Sequence, residues 1–382
     1  MRTEAGIGPV RVQDCVDRET TQTRVTTQTT EKPMTVNPTE PSTGEPQSSV
    51  SRQWQLIRRP AGWPVADDFR FVDHELPPLA DGEVRVRNEF ISVDPYMRGR
   101  MNDVKSYAPP YALGETMVGG AVGRVVESRS DVHEAGDLVQ HFQGWRDVAQ
   151  GAAGQFRKVV EVPGISSSAY LSAVGMTSLT AWVGLLVIAE MKPGDTVFVS
   201  GAAGAVGSAV GQIARLRGAA RVIGSAGSDE KVALLRDRYG FDAAFNYRNG
   251  DIAGQLEDAA PDGIDVYFDN VGGEHLEAAI FAFNDGGRAA LCGAISAYNA
   301  ETAQPGPRNL SMITSKGLTL RGFTIGNYQH HAADFAAEIA PKVASGEIVY
   351  DETVVDGIEN ALEAFFGLMR GENTGKMVVR IA

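Results

Sequence analysis

The apolar run Val197-Phe198-Val199 passes through Ser200-Gly201-Ala202-Ala203-Gly204 into Ala205-Val206-Gly207, and this turn constrains the fold more than any other feature. It reads as a strand, a glycine-rich turn and a helix in immediate succession. A helix N-terminus offers unpaired N–H groups and the positive end of a dipole, so it can receive a pyrophosphate. Gly204 permits the close approach of such a group, and Gly207 lets helix and strand pack tightly. The spacing is G-x-x-G-x-x-G, because Ala202 stands where G-x-G-x-x-G would begin. The alternative reading is an ordinary tight strand-to-helix turn in an enzyme that uses no nucleotide.

The surroundings favour the nucleotide. From 172 to 317 strand and helix patterns alternate: Asp195–Ser200, Ala205–Arg217, Arg221–Ser225, Asp229–Tyr239, then strands at Ile264–Asp269 and Arg288–Cys292. Such alternation predicts an α/β doubly wound, parallel-sheet domain of Rossmann type. Before it, residues 51–171 hold short β runs such as Glu83–Val86, Ala121–Val126 and Leu138–His141, separated by Gly, Pro and Asp turns. After it, 318–382 carry helical patterns near 332–344 and 357–370 and a last strand at Lys376–Ile381, a return segment expected to complete the β-rich module. Residues 1–50 are rich in Thr, Gln, Glu, Pro and Ser and are expected to be a disordered tail.

The second strand of the alternating region selects the cofactor. An NAD-binding domain places an acid there for the ribose 2′-OH. This chain instead has Ser225, Ala226 and Gly227, followed by Lys231 in the first turn of the next helix. With no acid to repel a 2′-phosphate and a lysine to meet it, NADP(H) is favoured.

Bulk properties exclude other classes. A net charge of −13, from 35 Lys+Arg against 48 Asp+Glu, opposes nucleic-acid binding. No apolar run approaches the ~20 residues of a membrane span. No secretory signal pattern opens the chain. The only cysteines, Cys15 and Cys292, form no disulfide framework, and a cytoplasmic setting is expected. Two cysteines, one of them in the tail, also cannot supply a multi-cysteine zinc site, so no metal is expected.

Several motifs together resemble the zinc-free medium-chain dehydrogenases/reductases, in the double-bond reductase branch. These are Asp94-Pro-Tyr-Met-Arg98, Gly204-Ala-Val-Gly-Ser208, Gly227-Ser-Asp-Glu-Lys231, Phe268-Asp-Asn-Val-Gly-Gly273, Cys292-Gly-Ala-Ile-Ser-Ala-Tyr298 and Gly371-Glu-Asn-Thr-Gly-Lys376. That branch includes leukotriene B4 dehydrogenase/prostaglandin reductases, 2-alkenal reductases and curcumin reductase-like proteins. The resemblance covers about Gln53 to Ala382 and implies a GroES-like, β-rich catalytic domain formed by both chain ends around an inserted Rossmann domain. It implies a cradle for the pyrophosphate at Gly204, Ala205, Val206 and Gly207, with Lys231 and Tyr247 at the 2′-phosphate. Asn270, the loop Cys292, Gly293, Ala294, Ile295, Ser296, Ala297 and Tyr298, the stretch Phe323, Thr324 and Ile325, and Asn373 would make further cofactor contacts. The stretch after Phe323 varies in the family. A homodimer is the family-level expectation.

Other residues compete for roles. His330 and His331 adjoin and read as solvated. Asp94 and Glu115 are lone carboxylates, more often turn or hydrogen-bonding groups than acids or bases. Arg98 is either a partner for an anionic group or a surface ion-pair residue. Tyr298 and Tyr96 are the catalytic candidates, since a phenol beside a nicotinamide holds a carbonyl oxygen or donates a proton. The expected reaction is reduction of the double bond of α,β-unsaturated ketones or aldehydes, by hydride addition at the β-carbon. Quinone reduction and non-catalytic NADP binding are the alternatives. From Ser225–Gly227 and Lys231, NADPH is expected to bind at least tenfold tighter than NADH, a difference of ~1.4 kcal/mol or more. Lys231→Ala should raise the dissociation constant for NADPH and leave that for NADH nearly unchanged; equal losses in a binding titration would refute the assignment.

Overall fold

The computed structural model describes residues 49–381. The expected tail lies outside these residues except for its last two. Val50 already opens a strand, Val50–Leu56, which pairs antiparallel with Phe69–Glu75 from Val50 opposite Glu75 to Leu56 opposite Phe69. Cys15 also falls outside the described residues.

Six strands form a parallel sheet: Thr196–Val199, Arg221–Ala226, Ala243–Asn246, Ile264–Asp269, Phe283–Leu291 and Thr319–Gly322. Numbered along the chain, their spatial order is 3-2-1-4-5-6. The order reverses between the first and fourth strands, and doubly wound sheets bind ligands at such a switch point. The central strands have near-continuous apolar character because both faces are covered. One apolar core takes Val197, Val199, Val210 and Phe268; the opposite face takes Phe198, Ile223 and Tyr267, with Phe198 stacked on Tyr267 at 5.1 Å between ring centroids.

A second, mixed sheet runs Glu352–Asp356, Lys376–Arg380, Glu83–Ser92, Ala121–Ser128, Leu138–His141 and Arg157–Lys158, with Val148–Ala152 branching from Glu83–Ser92. Strands that precede the parallel sheet in sequence and strands that follow it therefore build one sheet, while Val50–Leu56 and Phe69–Glu75 form a separate two-stranded one. Val378 to Arg380 lie opposite Ser92 to Phe90, in antiparallel register. This is the expected architecture of a Rossmann-type parallel sheet beside a β-rich unit built from the two chain ends.

The return to the mixed sheet comes later than residue 318. Thr319–Gly322 extends the parallel sheet, pairing with Arg288 to Leu291. The helix Ala332–Ala344 also stays with that lobe, burying Phe335, Ile339 and Val343 in its core. Those side chains repeat every four residues, so they form one apolar stripe that needs a partner, and the core beside the helix Met176–Val183 supplies it. Only from Glu352 onward does the chain rejoin the mixed sheet.

The helix Ala205–Leu216 begins directly after the glycine turn, with Gly204 as its N-cap. A Cβ on Gly207 would lie 2.5 Å from the Gly201 carbonyl oxygen and 2.7 Å from Ala202 Cα, whereas one on Gly204 would meet nothing nearer than Gly201 O at 3.3 Å. Gly207 is thus required by internal packing and Gly204 is not. Gly207→Ala is expected to cost about 2–3 kcal/mol in chemical unfolding, as overpacking of backbone against backbone. Gly204→Ala should stay within about 1 kcal/mol of the parent, because its φ of −82° suits alanine. Equal losses for the two would refute this division.

Candidate active site

The carboxyl ends of the first, second, fourth and fifth parallel strands meet around the glycine turn. Ala202 N–H donates to Ser225 O at 2.9 Å and Ser200 N–H to Phe268 O at 3.2 Å, which ties the turn to both neighbouring strands. Asp269, missed as a site residue, organises the fourth strand's end. It is buried and accepts from Tyr267 Oη at 2.7 Å, Val271 N at 3.0 Å and Gly272 N at 2.7 Å. Burial raises its carboxyl above the usual aspartate value and these donors oppose the rise. Asn270 follows, its Nδ2 donating to Ser200 O at 2.8 Å, so its side chain is anchored beside the glycine turn.

The loop after the fifth strand folds over this corner. Ile295 and Ser296 N–H donate to the carbonyls of Asn270 and Val271 at 3.3 and 3.2 Å, and Ser296 Oγ donates to Val271 O at 2.6 Å. Cys292 heads the loop at the end of an interior strand, not a sheet edge; burial pushes its thiol up to about 12, so it is an uncharged packing group. Gly293 must stay small, because a Cβ there would lie 3.2 Å from Asn270 O and 3.3 Å from Tyr298 Oη. Tyr298 Oη accepts Ala294 N–H at 3.4 Å, which leaves its own hydroxyl proton free to donate. Burial raises the Tyr298 phenol, keeping it protonated at neutral pH.

Tyr298, Ile295 and Tyr96 all pack against one apolar cluster containing Met97, Met101 and Trp145. The structure therefore brings the two tyrosines, over 200 residues apart in sequence, to one cluster. Burial, and next the neighbouring Asp94, hold the Tyr96 phenol well above its ordinary value. Tyr107, another residue the sequence reading passed over, lies in the same neighbourhood. Burial and then Tyr298 raise its phenol.

The second strand's end gathers the remaining residues. A Cβ on Gly227 would meet Tyr247 Oη at 2.9 Å, so glycine is what lets that phenol lie against the strand terminus. Lys231 Nζ donates to Gly371 O at 2.6 Å, and burial followed by the Arg248 charge lowers its ammonium below the usual lysine value. Arg248 was not foreseen. The Ser225 hydroxyl is buried without a hydrogen-bond partner.

The C-terminal segment closes the ring. Gly375 N–H donates to Ala203 O at 2.9 Å, and Gly375 pairs with Gly204 in a parallel bridge. Asn373, buried, donates from Nδ2 to Gly375 O at 2.8 Å. Phe323 packs edge-on to Phe268 at 6.4 Å and Ile325 joins the same core, with Thr324 between them. His330 is exposed, and His330 and His331 lie ring to ring at 4.2 Å. Among the described residues, no group of three or more His, Cys, Asp or Glu is placed to hold a metal ion.

Asp94 is a hydrogen-bonding carboxylate, as expected: its Oδ1 lies 3.0 Å from Lys376 Nζ, with both side chains buried, and Ser92 Oγ donates to its other oxygen. The expectation for Arg98 changes. Arg98 is neither a surface residue nor an ion-pair partner. It is 2% exposed and donates to Gly62 O at 2.7 Å, Asn102 Oδ1 at 2.8 Å and Asn299 Oδ1 at 3.0 Å. Asn299 follows Tyr298, so Arg98 ties the Tyr96 helix to the Tyr298 loop. Arg98→Lys keeps the charge and loses the fork; it is expected to cost about 2–3 kcal/mol in urea unfolding. Asn299→Ala should cost about 1 kcal/mol. A fully stable Arg98→Lys protein would overturn this latch.

Comparison with known proteins gives the same picture from a different direction. Residues 52–159 match the N-terminal domain of oxidoreductases and residues 205–341 match the zinc-binding dehydrogenase family model. The chain is 44% identical over 338 residues to the putative NADP-dependent oxidoreductase YfmJ of Bacillus subtilis, covering 88% of this chain and 99% of that protein. It is 40% identical to the NADPH-dependent curcumin reductase of Escherichia coli, covering 88% and 98%. The structure of CurA from Vibrio vulnificus in complex with NADPH superposes with a TM-score of 0.83 at 42% identity, over 87% of this chain and 99% of that one. With relatives this similar along nearly their whole length, the chain belongs to the double-bond reductase branch of the medium-chain dehydrogenases/reductases.

Proposed function

We propose that this chain catalyses NADPH-dependent reduction of the carbon–carbon double bond of α,β-unsaturated ketones and aldehydes. The observation that carries the reading is the placement of Tyr298. Its hydroxyl accepts a backbone N–H, keeps its proton for donation, and stands beside the Asn270 corner in the same apolar cluster as Tyr96. The names of the relatives, an NADP-dependent oxidoreductase and a curcumin reductase, support the same class.

The residues present fit NADPH. Gly204, as the N-cap of a twelve-residue helix, puts no side chain in front of the helix's unpaired N–H groups, where a pyrophosphate would sit. Ser225, Tyr247 and Lys231 offer a free hydroxyl, a phenol and a cation at the second strand's end, where no acid stands in the Ser225–Gly227 stretch. Lys231 meets only a carbonyl, so a 2′-phosphate would give it its anion. Asn270 and Asn373 border the glycine turn from the fourth strand and the C-terminal segment, with the loop from Cys292 to Tyr298 and the Phe323–Ile325 stretch as the walls for the nicotinamide.

When bound, NADPH supplies the hydride that reduces the β-carbon. The protein supplies stabilisation of the charge that develops on the carbonyl oxygen: Tyr298 Oη donates to it as the enolate forms. Tyr96, kept protonated by burial, is the protein's proton donor toward the α-carbon, with solvent as the other source. The apolar cluster beneath both phenols keeps water from their buried sides, and the substrate's hydrocarbon part would lie against its half-buried rim at Tyr96, Ile295 and Tyr298. No step requires zinc. The active form is a homodimer in the cytoplasm.

NADPH oxidation measured with a panel of enones, alkenals and quinones tests the reading; turnover of quinones alone, or of nothing, would refute it. Tyr298→Phe should lower kcat and kcat/KM together by roughly tenfold, less than the ~10²–10³ of a sole donor because a cofactor ribose hydroxyl shares the oxygen. NADPH affinity should stay within about threefold of the parent. Full turnover in Tyr298→Phe with loss in Tyr96→Phe would transfer the role to Tyr96.

A further inference from the structure

Next to Trp145, a member of the tyrosine cluster, one guanidinium lacks an anion among the described residues. Trp145 is fully buried, donates from Nε1 to Met97 Sδ at 3.3 Å, and has φ of +62°, a left-handed conformation that a bulky residue rarely adopts. That backbone turn directs the next residue, Arg146, into a polar pocket of about 470 Å³. The pocket also presents Gln53, Gln55, Thr116, Gln150, Glu83 and Glu115.

Arg146 has no compensation there. Its Nε is buried without a hydrogen-bond partner, and among the described residues neither a hydrogen bond nor an ion pair engages its guanidinium. Burial draws its pKa down to about 10, the direction expected of a cation removed from water without a counter-charge. Glu83 is already occupied, accepting Ala80 N–H at 3.0 Å and Gln150 Nε2 at 3.3 Å. Glu115 sits at the exposed rim. Buried polar groups are nearly always paired, and a guanidinium fork matches a carboxylate or phosphate in two-point geometry.

We propose that this pocket is a second ligand site, in which Arg146 binds a small organic oxyanion. The two glutamates on the lining select for a ligand that also carries hydroxyl or ammonium donors, such as an amino acid or a sugar-type phosphate. A volume of this size suits a small molecule. None of the residues proposed for cofactor or substrate lines the pocket, so the site stands or falls independently of the reductase reading.

Calorimetric titration and thermal unfolding test it, with the protein saturated by NADP⁺ so that added anions cannot enter the cofactor cradle. The probes are glutamate and glycerol 3-phosphate, each against sodium chloride at equal ionic strength. At least one should bind saturably and raise Tm by about 2–4 °C. Which one binds separates the carboxylate source from the phosphate source. Arg146→Gln should abolish the binding, and Arg146→Lys should weaken it more than tenfold. In chloride alone Arg146→Met should melt at or above the parent temperature, because it removes an uncompensated charge. Absence of saturable binding by both probes, unchanged affinity in Arg146→Gln, or a lower Tm for Arg146→Met would each overturn the proposal. If the Arg146 variants do not fold, Gln55→Ala serves instead: a several-fold loss of affinity supports the site and an unchanged affinity overturns it.

Discussion

The ion pair between Asp94 and Lys376 is what the rest of the site depends on. Lys376 begins the last strand, and Asp94 lies just ahead of Pro95, the N-cap of the short helix that carries Tyr96 and Arg98. The ammonium also donates to the carbonyls of Val93 and Met377 at 2.7 and 2.8 Å, so its charge is well satisfied in a place with almost no water. Breaking a buried pair from one side typically costs about 3–5 kcal/mol, because the abandoned charge has nowhere to go. Its value here is geometric as well: it pins the segment bearing Asn373 and Gly375 to the segment bearing Tyr96.

From that pin, two sets of contacts spread outward. On one side Gly375 reaches the glycine turn through Ala203 and Gly204, and Gly371 reaches Lys231. On the other, Arg98 gathers the Pro60–Gly62 stretch and Asn299. The parallel sheet and the mixed sheet are thus connected around the glycine turn and the Tyr298 loop by hydrogen bonds of defined direction, while the apolar cluster around Met97 and Trp145 supplies the non-directional part. Position and affinity come from different physical terms, and each can be altered without the other.

Much of this was legible in the chain. The glycine turn announced the parallel sheet because its spacing has few other uses between a strand and a helix, and Ile264–Asp269 and Leu138–His141 fall where periodicity put them. Motif resemblance brought Asn270, Tyr247 and the Cys292–Tyr298 loop into view. What escaped was pairing across long separations. Nothing local in Asp94 reveals a lysine 282 residues later, and Arg98 looks like any surface arginine until the carbonyls around it are located. Asp269 was hidden for a similar reason: its partners are backbone N–H groups that exist only once the Val271–Gly272 turn has formed. The misplaced start of the return segment has another origin. Thr319–Gly322 is too short and too mixed in polarity to declare which of two sheets it will join.

The bridge between Gly204 and Gly375 also bears on the order in which the molecule can be made. The parallel-sheet lobe takes its last helix at Ala332–Ala344, yet its glycine turn is bridged by Gly375, just ahead of the strand Lys376–Arg380. Ala203 O has the Gly375 N–H, and Lys231 has the Gly371 carbonyl, only once that segment is in place. Because Lys376–Arg380 is an interior strand of the mixed sheet, the glycine turn reaches its final hydrogen bonding only when the two sheets have been joined.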